Sequence, residues 1–118
     1  MPGTRPAIRD HHDHVIVTLC GELDIADAAC LRDALTGAVT QNPHVVADLS
    51  GLDFVDCAVL GVLVRARGQA LEAGGDLVLA GARGKARRVL ELPFMADLFP
   101  VYATVDEAVM AADGLVLR

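Results

Sequence analysis

Residues 45–66, VVADLSGLDFVDCAVLGVLVRA, constrain this chain more than any other stretch. Val45 to Leu49 is apolar and almost unbroken, as a central strand covered on both faces must be. Ser50 and Gly51 then read as the start of a tight loop that ends at Asp56–Cys57. A helix begins there at once and runs from about Cys57 to Ala73, with Asp56 as its N-cap. Val59, Val62, Leu63, Ala66 and Ala70 form its core stripe, widened by Leu60 and Val64. A strand feeding a helix N-terminus presents free backbone N–H groups and the positive end of a helix dipole. In α/β domains that junction is where chemistry or recognition is placed.

The flanking segments extend the same alternation. Pro6 to Arg9 reads as a short first strand and His11-His12-Asp13-His14 as the turn after it. Consecutive turn residues cannot all converge on one ion, so a solvated hairpin tip is favoured there over a metal site. Val15 to Leu19 is rich in β-branched residues and reads as a strand. After Gly21-Glu22-Leu23-Asp24, a helix capped by Asp24 or Asp27 carries Ala28, Leu31, Leu35 and Ala38 on one stripe. Gly74-Gly75 ends the second long helix, and Asp76–Ala80 is another strand.

Gly81-Ala82-Arg83-Gly84-Lys85 lacks the spacer and the hydroxyl residue of a phosphate loop. Lys85, Arg87 and Arg88 are instead read as the solvated face of a short helix, with Val89, Leu90 and Leu92 inward. Phe99 to Tyr102 is the last strand, and Thr104 to Glu107 is a capping box that opens a final helix packing Ala108 and Ala111. Strand–helix–strand links of this length imply right-handed crossovers and a parallel sheet, with the first two strands as a mixed edge. The fold class is α/β: one domain over 1–118 (core about 15–112), a mixed, mostly parallel sheet of about five strands, and about four helices.

The chain has 118 residues, 53% hydrophobic but only 3% aromatic, so Ala, Val and Leu must build the core. That length supports one domain without disulfides or metal. A formal charge of −6 disfavours nucleic acid and anionic membranes as partners. No run approaches the ~18 apolar residues of a membrane span, and residues 1–14 hold no apolar signal core. The expected location is the cytoplasm, where Cys20, Cys30 and Cys57, odd in number and without CxxC spacing, are free thiols.

The central stretch resembles the core motif of STAS domains of bacterial anti-sigma factor antagonists. The matching residues are Asp48-Leu49-Ser50-Gly51, Phe54-Val55-Asp56 and Leu60-Gly61-Val62-Leu63, joined by Gly21-Glu22-Leu23-Asp24. The likeness extends from about Val15 to Ala112. It implies a binding module, not an enzyme, which docks on an anti-sigma factor with a kinase-type ATPase fold and so frees a sigma factor for transcription. In the family that partner phosphorylates a serine, and the added charge breaks the complex. This chain has Cys57 at that position, with Ala58 and Val59 replacing a small Ser-Gly pair. A thiol is no ordinary serine-kinase acceptor, yet it is close to serine in shape. The resemblance therefore implies preserved docking and altered regulation.

The expected partner-binding residues are Asp24, Asp56, Cys57, Ala58, Gly61 and Val62, with no catalytic residues, metal ligands or cofactor. Two alternatives stay open: a small-ligand or nucleotide-sensing STAS module, and a thiol redox-sensing regulator. The helix N-terminus favours a reactive Cys57 and the Asp56 carboxylate opposes it. An unreactive, serine-shaped thiol is the favoured reading.

Overall fold

The computed structural model describes residues 7–11, 13–23 and 25–113. The elements are β1 (Ala7–His11), β2 (His14–Leu23), α1 (Ala28–Gln41), β3 (His44–Val55), α2 (Cys57–Glu72), β4 (Asp76–Ala80), α3 (Gly84–Leu90), β5 (Val101–Tyr102) and α4 (Val105–Asp113). Short 3-10 turns, Ile25–Asp27 and Pro93–Asp97, precede α1 and β5. The sheet order is β1-β2-β3-β4-β5; β1 pairs antiparallel with β2 and every other pair is parallel. The expected mixed, mostly parallel α/β sheet with four helices is thus the observed one.

Alternation along the strands sends side chains to two unequal cores. One face carries Val15, Val17, Leu19, Val45, Ala47, Leu49, Leu77 and Leu79, packed against α1, α2 and α3. The helices bury Leu31, Leu35 and Ala38 from α1, Val59, Leu63, Ala66 and Ala70 from α2, and Ala86 and Leu90 from α3. The other face is smaller: Ile16, Val46, Val78 and Ala80 meet Ala108 and Val109 of α4. Central strands β2, β3 and β4 are therefore apolar on both faces, while α1 and α2 need only one apolar stripe.

Several details depart from the sequence reading. β3 does not stop at Leu49; it continues through Ser50 and Gly51 to Val55 because β2 runs beside it as far as Leu23 and supplies pairing. The register shifts between Thr18 and Cys20 and again between Gly21 and Glu22. Gly51 fits the first shift, since a Cβ there would stand 2.7 Å from Cys20 Cβ. The hairpin closes on the His11–His14 pair, and His14 is buried (4% exposed) with its ring 6.1 Å from that of His44, so it is no part of a solvated tip. His12 lies outside the described residues.

β5 is shorter than the expected Phe99–Tyr102. The backbone N–H groups of Leu98 and Phe99 both donate to the Met95 carbonyl, and Pro100 has none to give a ladder. Met95 and Phe99 fill the core below this turn, which leaves Leu92 exposed rather than inward. The glycine pair after α2 has a steric reason. Gly74 takes φ +94, and a Cβ on Gly75 would overlap the Pro43 carbonyl.

Candidate functional site

The candidate site is the end of the sheet where β2 and β3 stop together. Leu23 is in register with Val55, so the chain leaves both strands at one level. Asp56 follows Val55 in extended conformation, and its Oδ1 accepts from Val59 N at 3.1 Å, while its carbonyl accepts from Leu60 N at 3.0 Å. This is the expected N-cap of α2. The carboxylate is thereby committed to the first helical turn, where a negative charge also suits the dipole.

Cys57 is the first residue of α2 and its side chain is exposed. Ala58 and Val62 are half-buried, and Gly61 is exposed with open space where a Cβ would stand. Residues 57, 58, 61 and 62 share one side of the helix by their spacing, and the buried stripe Val59, Leu63, Ala66, Ala70 lies on another. The structure therefore brings together Asp56, Cys57, Ala58, Gly61 and Val62. Asp24, the sixth expected residue, lies outside the described residues. Asp27 occupies the N-cap position of α1.

Two features of this surface escaped the sequence reading. Phe54, 44% exposed, stands just before the cap, on β3 opposite Glu22. Its neighbours Leu52 and Val55 are buried, and that break in alternation between two inward residues was the available signal. Arg83, the N-cap residue of α3, donates from Nε to the Ser50 carbonyl at 2.9 Å and so fixes α3 beside β3. Gly81, at φ +78, permits that approach, since a Cβ there would press on Asp48 Oδ1 at 3.2 Å and Ser50 Cβ at 3.3 Å.

At the start of α2 the exposed side of the helix is thus small or apolar and carries one thiol, with the charged Asp53 and Arg83 at its margin. Among the described residues, no cluster of His, Cys, Asp and Glu is arranged to hold a metal ion. Nor is any helix long and apolar enough to cross a membrane. The arrangement leaves open space beside Gly61 and exposes apolar surface at Phe54.

Comparison with known proteins identifies the family. Residues 5–108 match the STAS domain family. The anti-sigma-F factor antagonist RsfB of Mycobacterium tuberculosis is 30% identical over 111 residues, covering 91% of this chain and 88% of that one. The crystal structure of an anti-sigma factor antagonist from Mycobacterium paratuberculosis, 30% identical, superposes with a TM-score of 0.81 over 92% of each chain. Unphosphorylated SpoIIAA, also an anti-sigma factor antagonist, shares the fold at 20% identity and a TM-score of 0.76, over 92% of this chain and 96% of that one. The chain belongs to the STAS domain family, and these relatives within it are anti-sigma factor antagonists.

Proposed function

We propose that this protein is an anti-sigma factor antagonist that works by docking, in the cytoplasm, on an anti-sigma factor of the serine-kinase type, and that it catalyses no reaction itself. The observation that supports this most is the surface at the start of α2. Cys57 is exposed at the first helical position, Ala58 and Gly61 leave room for a partner backbone, and Asp56 is used as a cap. The relatives favour an anti-sigma factor as the partner, and the exposed junction favours this contact.

The same position bears on regulation. A phosphate brings roughly two negative charges, and at this junction it would be forced into a close-packed interface beside Asp56. Cys57 offers no hydroxyl for that step, so the docked state persists in the presence of ATP. The complex then responds to the amounts of the two proteins, not to a phosphorylation cycle at residue 57.

The test uses the cognate anti-sigma factor and ATP. Wild-type protein binds and gains no phosphate at Cys57 by intact mass, whereas Cys57→Ser restores an acceptor hydroxyl and gains one phosphate. Ala58→Glu abolishes binding and leaves thermal stability within about 1 kcal/mol, as for a site away from the core. Unimpaired binding by Ala58→Glu would show that the partner sits elsewhere.

A further inference from the structure

α1 and α2 lie side by side on the three-helix face and leave a cleft of about 90 Å³ between them. Leu35, Val62 and Ala66 give it an apolar lining. Arg32 and Thr36 reach it from α1, and Arg65 and Gln69 from α2; all four are exposed. Among the described residues neither Arg32 nor Arg65 is in an ion pair; the arginines that are paired are Arg67, with Asp76, and Arg87, with Glu91.

We propose that this cleft is a second contact of the docking surface and receives carboxylate side chains from an acidic segment of the anti-sigma factor. The inference rests on the docking reading above and specifies the chemistry of the partner. Position supports it first. Val62 belongs both to the candidate surface and to the cleft, and Arg65 lies eight residues beyond Cys57, about 12 Å along the same helix.

Charge supports it next. The chain is at −6, so most of its surface repels an acidic segment. Two unpaired guanidiniums on neighbouring helices reverse that locally, next to the surface where a partner is expected. Each guanidinium offers a planar fork that matches a carboxylate in two parallel hydrogen bonds. The Thr36 hydroxyl and the Gln69 amide add donors. The small volume suits a carboxylate group and leaves no room for a nucleotide, whose sites run to roughly 300 Å³ or more.

The experiment measures affinity for the cognate anti-sigma factor with four proteins: wild type, the double variant Arg32→Glu/Arg65→Glu, the double variant Arg32→Lys/Arg65→Lys, and Ala58→Glu. At about 0.01 M ionic strength, where the screening length is roughly 30 Å, the charge reversal should weaken binding at least about tenfold, mainly through the association rate. The loss should shrink at about 0.15 M, where that length is roughly 8 Å. The lysine variant should fall closer to wild type than to the reversal, and all melting temperatures should agree.

Equal binding of the reversal and wild type at low ionic strength overturns the inference. So does a loss that ignores salt or tracks a lowered melting temperature. In both cases abolition of binding by Ala58→Glu leaves the docking reading standing. If wild type does not bind, or Ala58→Glu binds normally, the docking reading falls and takes this inference with it.

Discussion

The two ends of α2 are built to opposite purposes. At its C-terminal half Arg67 donates from Nε to Asp76 Oδ1 at 2.8 Å and from Nη1 to the Leu98 carbonyl at 2.9 Å. One side chain thus ties the helix to the start of β4 and to the turn before β5. At its N-terminal end, among the described residues, the side-chain hydrogen bond is local: Asp56 caps the helix it begins, Val59 and Leu63 pack in the core, and Cys57, Gly61 and Arg65 face outward. A helix fixed at one end and uncovered at the other presents a surface without needing to move. The lesson is that polar side chains in this fold are spent on architecture at one end and withheld at the other.

That contrast is broken most severely through the stripe both ends share. Leu63 is fully buried midway along α2, and Leu63→Ala should cost about 2–5 kcal/mol in urea unfolding, with binding lost only as far as the protein unfolds. Next in size is the fixed end. Arg67→Ala leaves the partly buried Leu98 carbonyl without this donor and Asp76 with the Leu77 N–H alone, and should cost about 1–3 kcal/mol, while affinity for the anti-sigma factor stays unchanged.

The uncovered end should behave in reverse. Asp56→Ala removes the cap and should cost about 1 kcal/mol of stability, with a larger effect on binding because the first turn that carries Cys57 frays. Asp56→Asn keeps a capping oxygen and should restore most of the lost stability, which separates the cap from the charge. The smallest effect is expected at the centre of the site. Cys57→Ser should shift stability by no more than about 0.5 kcal/mol and leave affinity measured without ATP as it was.

Much of this was legible in the residues, for reasons that differ from place to place. The α2 cap could be read because capping is local, and Val59, Leu63, Ala66 and Ala70 follow the helical period; Val62 and Val64, read with that stripe, are half-buried and exposed, because the first two turns are apolar all round and do not mark one face. The central strand could be read from its unbroken apolar run. What could not be read depended on a neighbour distant in sequence. β3 runs on to Val55 because β2 is there to pair with it, and nothing in Ser50-Gly51 announces that. Phe99 leaves the strand because Met95 takes its N–H, and His14 is buried because the sheet passes beside His44. The α1–α2 cleft is of the same kind, since Arg32 and Arg65 become neighbours only when two helices pack on one face.

The extra length of β3 has a consequence for solubility. Pairing with β4 ends at Asp48 and Ala80, so β3 beyond that point has a strand on one side only. An uncovered strand edge is a template for another chain and a starting point for aggregation. The guanidinium of Arg83 occupies the Ser50 carbonyl just past the end of β4, where an added strand would begin to pair. The register shifts against β2, one spanning Ser50 and one between Leu52 and Phe54, take this edge out of the regular geometry that stacking requires. The residue that anchors α3 therefore also guards this edge against pairing with copies of the same chain.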